Sequence, residues 1–225
     1  MTGLHLEDLD MIVNKYGGRL FSFQMCPPPL FIEIIKINHL RTRALEDGRS
    51  EAGFRLQEAC NILDHIHAFS PEGWSESKPC SKEGWMLVGN IYQAAVSLYC
   101  ILSLQSLSVL PCSSELQTQC TEHGRVLQVL LSEALSSPKT RISLIWPLVL
   151  LGVQAANDDA AMRAFVSERL PEMSYHIGSN VPMVAKAVLE RFWASGATRW
   201  DACFDRPYAF ATQIAVDMTE LLPQR

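Results

Sequence analysis

Apolar residues recur every three or four positions along most of the chain, which is the period of an amphipathic helix. Two clear stripes show this spacing: Phe31, Ile34, Ile37, Leu40, Ala44, and then Leu56, Ala59, Leu63, Ile66. No segment alternates apolar and polar residues between hairpin turns, as a half-buried strand would. The pattern predicts an all-α fold of about eight to nine packed helices, in a single multi-helix domain over residues 1–225.

Helix-terminating residues divide this pattern into segments. A Gly-Gly pair ends a first predicted helix in "HLEDLDMIVNKYGG", whereas "GWMLVGNIYQAAVSLYCILSLQSL" is apolar on nearly every face, as a central helix is. The Ser- and Pro-rich stretch at 70–80 predicts a loop. We expect Ser113 or Ser114 to cap one helix, Asn157 or Asp158 to cap another, and "AMRAFVSERL" to continue up to Pro171. A last helix carries Phe210, Ile214, Met218 and Leu221.

The most apolar run of the chain is "TRISLIWPLVLLGVQAANDDAAMRAF", at residues 140–165. The stretch between Arg141 and Asp158 holds no charge, but it is shorter than the roughly 20 apolar residues that span a bilayer. It therefore predicts a buried helix that begins near Trp146. Pro147 would lie in its first turn, where a missing N–H costs little, and Gly152 would let a neighbouring helix approach closely.

Composition and charge exclude several classes of protein. Hydrophobic residues make up 48% of the chain and charged residues 19%, which is ordinary for a globular protein. The net charge is −5, and the densest basic cluster, "HLRTR" at 39–43, is small. Because binding to a phosphate backbone needs clustered Lys and Arg, we expect no direct nucleic-acid binding by this chain. The N-terminus lacks the long apolar segment of a secretory signal, so we expect no such signal. We also expect no membrane insertion.

The seven cysteines are widely spaced and include no C-x-x-C pair. Zinc clusters and zinc ribbons need closely spaced cysteines, so the sequence predicts no metal site of that kind. Reduced thiols in an intracellular protein are the simplest interpretation of this pattern.

Few residues suggest catalytic chemistry. His65 and His67 would point about 200° apart on a helix and so could not share a metal. Asp201 and Asp205 are four residues apart and are the candidates for a catalytic Mg²⁺ site, although surface positions or pairing with Arg199 and Arg206 would also explain them. Nucleophile elbows, phosphate loops and dinucleotide fingerprints are missing, and we expect no cofactor.

Aromatic residues on the predicted helices offer a second kind of site. They are expected chiefly to pack the core, but they could also line an apolar pocket between helices, where such folds bind small molecules. The candidates for a pocket that takes a small apolar ligand are Trp85, Tyr92, Trp146, Phe192 and Trp193.

Roughly residues 25–215 contain four segments in this order: "CPPPLFIEIIKINHLRTR", "SLIWPLVLLGVQA", "AMRAFVSERLPEMSYHIGSNVPMVAKAVLERFWA" and "RWDACF". Together they resemble the fungal-specific transcription factor domain. "CPPPLFIEIIKINHLRTR" resembles the family's "C-P-P-x-L-x-x-x-I-x-x-I-N-x-L-R", and "SLIWPLVLLGVQA" its "L-x-W-P-L-F-I-A-G-x-E-A". "AMRAFVSERLPEMSYHIGSNVPMVAKAVLERFWA" and "RWDACF" are similar to the two elements that follow. His39 and Gln154 depart from the family's usual Arg and Glu, so the polar contacts made there by other members are not expected here.

The resemblance implies a helical regulatory region of the kind that follows a Zn₂Cys₆ DNA-binding cluster in fungal regulators. Such a domain would act in the nucleus through self-association and protein partners, with possible sensing of a small apolar ligand. The six closely spaced cysteines of the cluster itself are absent from this sequence.

That absence leaves other hypotheses open. A chain that starts at Met1 without the DNA-binding module could be a helical enzyme or biosynthetic accessory protein built on this scaffold, acting on an apolar isoprenoid-like or polyketide substrate. It could also be a structural or dominant-negative partner of a full-length regulator. Enzymatic activity is therefore an open question, and the regulatory interpretation is favoured.

Overall fold

The computed structural model describes residues 26–46, 52–78, 81–141, 143–157 and 159–212, and helices make up most of this part of the chain. These residues are 80% helical and contain no strand, which confirms the predicted all-α class. In chain order the helices are α1 Pro28–Glu46, α2 Ala52–Ala68, α3 Pro71–Glu76, α4 Lys82–Ser106, α5 Ser114–Ala134, α6 Pro138–Arg141, α7 Ile145–Gln154, α8 Ala160–Ile177, α9 Val181–Ala194, α10 Trp200–Cys203 and α11 Ala209–Thr212. The predicted first helix, and the predicted last helix beyond residue 212, lie outside the described residues.

Helix α4 is the centre of the bundle and contacts α1, α2, α3, α5, α7 and α10. It is the one described helix long and apolar enough to cross a membrane, with a mean hydropathy of 1.5 in its most apolar window. The other helices bury 83% of that window. A helix that is apolar all round is expected in such a central position, as the sequence predicted.

The stretch at 70–80 is not wholly a loop, because α3 lies within it. The Ser70 hydroxyl accepts a hydrogen bond of 3.0 Å from the Gly73 N–H, and Pro71 occupies the first helical turn. These Ser and Pro residues therefore begin a helix rather than form only a loop. The short helix is fixed on α4 because Trp74 is buried in the core.

Helix α7 confirms the interpretation of the most apolar run. It begins at Ile145, Pro147 lies in its first turn, and every residue from Trp146 to Gln154 is buried. At Gly152 a Cβ atom would lie 2.4 Å from Cδ1 of Leu189, so the absence of a side chain there allows α9 to approach.

Helix α8 differs from its prediction at both ends. Asp159 caps it, accepting a hydrogen bond of 2.8 Å from the Met162 N–H. The expectation that it continues only up to Pro171 is wrong, because the helix runs on to Ile177 and stops at Gly178, which adopts a left-handed φ of 63°. The buried positions Met162, Val166, Leu170 and Met173 continue one apolar stripe past the proline. Burial of this stripe outweighs the hydrogen bond that Pro171 removes.

Candidate functional site

The four segments that carry the family resemblance meet in the core, and Tyr99 in the middle of α4 joins three of them. Its hydroxyl donates a hydrogen bond to the Oδ1 atom of Asn38 on α1. Its ring packs edge-on against Trp146 of α7, with 5.8 Å between ring centroids, and against Trp200 of α10, at 5.1 Å. Segments that are far apart in sequence are thus tied to one aromatic side chain.

Burial keeps Tyr99 protonated and able to donate this hydrogen bond. Burial raises the pKa of Tyr99 to about 12, while the Arg41 guanidinium opposes the rise and the Asp201 carboxylate adds to it. A buried phenolate would lack its hydration shell, so the neutral form is strongly favoured.

A polar network surrounds Tyr99 and holds α10 against the two long helices. Arg41 on α1 donates to the Ser103 carbonyl of α4 and pairs with the Asp201 carboxylate. The Asp201 N–H donates in turn to the Ser106 hydroxyl over 3.1 Å. Arg199 donates to the backbone carbonyl of Ser106. The network supplies hydrogen bonds to the Ser103 and Ser106 carbonyl groups in the last turn of α4, where a helix leaves carbonyl groups without intrahelical partners.

The two candidate metal-binding aspartates pair with different arginines. Asp201 pairs with Arg41, whereas the Asp205 carboxylate lies 3.2 Å from Arg191 and accepts a hydrogen bond of 2.6 Å from the Tyr208 hydroxyl. The Tyr208 hydrogen bond, followed by the nearby Arg191, lowers the pKa of Asp205. Arg41 comes from the distant helix α1 and Arg191 from the preceding helix α9, so neither partner is Arg199 or Arg206, the arginines that the sequence suggested. Among the described residues, no group of three or more His, Cys, Asp or Glu is placed to hold a metal ion.

The five pocket candidates fall into three separate places. Tyr92 and Trp146 stack in the core with 6.2 Å between their centroids, and the Tyr92 hydroxyl donates to the Ser143 carbonyl over 2.8 Å. Phe192 is buried, and its neighbour Trp193 donates from Nε1 to the Gly152 carbonyl over 2.8 Å.

The fifth candidate, Trp85, lies at the start of α4 beside Trp74. All five side chains are thus packed against other parts of the fold, and none of them lines either of the two surface depressions described below. The predicted apolar pocket stays a prediction.

Two depressions on the surface involve α5. The larger, about 560 Å³, is lined by α5 residues between Ser114 and Val126. The smaller, about 210 Å³, is lined by His67, Asn90, Gln93, Ala94, His123 and Val126. His67 and His123 stack there with 5.7 Å between their ring centroids. No sequence signal marks this pair, because the two histidines come from different helices and meet only in the folded bundle.

His65 and His67 lie on different sides of α2, as their spacing on a helix predicted. His65 faces the other way from His67, and its Nδ1 atom lies 3.6 Å from the Glu33 carboxylate. Burial, and then the adjacent His67, lower the pKa of His123, whereas Glu122 acts in the opposite direction. Burial therefore favours the neutral form of His123.

None of the six cysteines among the described residues forms a disulfide. Burial raises the pKa of Cys120 and of Cys203 to about 12. Because the thiolate is the reactive form, these side chains behave as small core residues rather than as nucleophiles.

Comparison with known proteins finds the same family as the four segments quoted above, which we call the signature segments. The profile of the fungal specific transcription factor domain matches residues 14–206. A relative from Leptosphaeria maculans, named "Phomenoic acid biosynthesis cluster-specific transcriptional regulator", is 50% identical over 217 residues, which cover 96% of this chain and 42% of the relative. The chain thus spans less than half of that relative's length, and no solved structure matches it. Both matches support a role in transcription regulation. The chain belongs to the fungal-specific transcription factor domain family.

Proposed function

We propose that this chain is the helical regulatory domain of a Zn₂Cys₆-type regulator and acts in the nucleus through protein contacts rather than by binding DNA itself. The observation that carries the proposal is the 50% identity, over 96% of the chain, to a regulator whose name assigns it to one biosynthetic gene cluster. By this similarity, the proposed target is a set of clustered biosynthetic genes.

The surface supports a role in protein contacts. Several large apolar side chains on different helices are well exposed to solvent, among them Leu45, Phe54, Val129 and Tyr175, with Tyr175 at 84%. Where two proteins meet, apolar and aromatic side chains contribute much of the binding free energy, and these four offer separate points of contact on the surface. Self-association and coregulator binding are the contacts that we propose.

The charge of the chain supports the absence of direct DNA binding. Its net charge is −5, and several of its arginines are engaged inside the fold, such as Arg41 and Arg163, which donate to backbone carbonyls. A DNA-binding surface would need several free cations to neutralise phosphates. In this proposal a separate module supplies the DNA contacts.

The experiment tethers the chain to an unrelated DNA-binding module in a fungal reporter strain. We expect the fusion to change reporter transcription, whereas the module alone does not. The matched control is the Leu189→Asp fusion, which buries a charge in the core and should lose the effect together with the fold.

A second arm measures DNA binding by the isolated chain at physiological salt. An inert, correctly folded fusion would refute the regulatory proposal. Sequence-selective binding of the isolated chain to DNA would refute the proposal that a separate module supplies the DNA contacts.

A further inference from the structure

Two tryptophans and one lysine form a small cation site at the corner between α3 and α4. We propose that Trp74 and Trp85 are a two-walled aromatic cage for an alkylammonium group, that Lys78 occupies this cage from within the chain, and that a quaternary ammonium ligand enters when Lys78 is removed. This inference is independent of the proposed function.

The geometry of the two rings is that of a cage. The Trp74 and Trp85 rings are perpendicular, with 5.5 Å between their centroids. The Nζ atom of Lys78 lies 4.8 Å from the Trp74 centroid and 5.9 Å from the Trp85 centroid. Both distances fall within the roughly 6 Å at which a ring face attracts a cation, and tryptophan is the strongest of the aromatic partners. An ammonium group is therefore already seated on two aromatic walls.

One wall is rigid before any ligand arrives. Trp74 is only 6% exposed and also packs against Phe69, with 6.3 Å between centroids. The backbone of α3 presses on Gly89 of α4, where a Cβ atom would lie 3.0 Å from Cβ of Pro71 and 3.3 Å from the Trp74 ring. The glycine thus allows the close approach that fixes this wall. A ligand on a fixed wall loses less free energy to ordering than one on a mobile surface.

The charges around the cage favour a cation. The stretch from Pro71 to Trp85 contains three glutamates and two lysines. Lys82 neutralises part of this charge, since its Nζ lies 2.8 Å from the Glu76 carboxylate and 3.7 Å from that of Glu72. Without the charge of Lys78, this stretch keeps three negatively charged glutamates and one positively charged side chain, that of Lys82. The local field then attracts an external cation.

A quaternary ammonium group fits the emptied site better than an ordinary ammonium. It carries the same charge but no N–H groups that need hydrogen bonds, and aromatic cages recognise choline and methylated lysine for this reason. In the wild type the tethered Lys78 side chain competes at an effective concentration on the order of millimolar, so ligand binding is suppressed rather than abolished.

The test uses the full chain labelled with 5-fluorotryptophan and follows the Trp74 and Trp85 resonances by fluorine NMR. Tetramethylammonium chloride is the first probe, with sodium chloride at equal ionic strength as its control. We compare the wild type with Lys78→Gln, which empties the cage, and Lys78→Arg, which keeps a cation on the walls. Lys82→Gln is the matched control, because it removes the same charge nearby without emptying the cage. Thermal denaturation of each variant verifies that it is folded.

We expect saturable shifts of both resonances in Lys78→Gln, with an affinity at least about threefold above the wild type, which is the size of effect that one aromatic–cation contact gives. Lys78→Arg and Lys82→Gln should resemble the wild type, and Trp85→Leu added to Lys78→Gln should abolish the shifts. Equal affinities in Lys78→Gln and Lys82→Gln would overturn the proposal, whether or not the Trp85 variant folds. A trimethyllysine peptide that binds more tightly than tetramethylammonium identifies a protein source for the ligand, and equal binding identifies a small-molecule source.

Discussion

The close contact between α7 and α9 at Gly152 predicts how the substitution Gly152→Ala changes the free energy of unfolding. The new Cβ atom would lie 2.4 Å from Cδ1 and 3.0 Å from Cδ2 of Leu189, whereas ordinary contacts of this kind are 3.4–4 Å. Leu189 is completely buried and Phe192 beside it is 2% exposed, so the leucine has little room to move away. The same helices are joined by the hydrogen bond from Trp193 to the Gly152 carbonyl.

Two opposing effects set the magnitude. Alanine is better than glycine in a helix by about 1 kcal/mol. Overpacking of a filled core costs about 1–3 kcal/mol, and a contact this short lies towards the upper end of that range. We therefore expect Gly152→Ala to lower the free energy of unfolding by about 1–2 kcal/mol, against the direction that helix propensity alone predicts.

A second substitution separates the two effects. Leu189→Ala removes both Cδ atoms and costs about 2–5 kcal/mol by itself, because it leaves a cavity. In that background the alanine at position 152 meets no Cδ atoms, so it should stabilise the chain by about 1 kcal/mol. The two substitutions should therefore couple by about 2–3 kcal/mol.

Urea denaturation followed by circular dichroism measures all four proteins of this cycle. Additivity within about 0.5 kcal/mol would mean that the packing of α9 on Gly152 does not limit this site. A stabilising Gly152→Ala in the wild-type background would refute the reasoning in the same way.

Three further predictions concern the polar groups of the core and surface. Tyr92→Phe leaves the buried Ser143 carbonyl without its donor and should cost about 1–3 kcal/mol in thermal denaturation, and an unchanged melting temperature would contradict this. Asp201→Ala should lower the melting temperature more than Asp205→Ala, because Arg41, the partner of Asp201, is largely buried. Both members of the Arg191–Asp205 pair are exposed. Equal losses of melting temperature would contradict this prediction. The pKa of His123 is lowered in the folded chain, so the unfolded chain takes up a proton at a higher pH than the folded chain does. The free energy of unfolding should therefore fall as the pH drops through about 6.5, the ordinary pKa of histidine. His123→Gln should flatten that slope in urea titrations between about pH 7.5 and about pH 5, and an unaltered slope would exclude His123 as its source.

The family signature describes an architecture more than a reaction site. Trp146, Trp200 and Asn38 belong to three different signature segments, and all three contact Tyr99, which lies outside those segments. In this chain the signature residues are therefore the ones that close α1, α7 and α10 on one central helix. This explains why the signature predicted the fold correctly but did not identify a ligand or a catalytic group.

Local sequence determined most helix positions. The stripe from Phe31 to Ala44 predicted α1, and the position of Pro147 predicted the first turn of α7, because helix periodicity and the missing proline N–H act over a few residues. Pro171 predicted an end that the structure does not show. There, burial of a stripe against distant helices outweighs the local preference, and no window of sequence contains that contribution.

The candidate sites depended on contacts between distant parts of the chain. The sequence placed Asp201 and Asp205 four residues apart, but only the packed bundle gives them Arg41 and Arg191 as separate partners. The cage around Lys78 likewise requires α3 to dock on α4. The sequence by itself determined the class, the helices and the family, because these follow from spacing along the chain. The tertiary structure decided which side chains meet, because side-chain contacts depend on how helices far apart in the chain pack together.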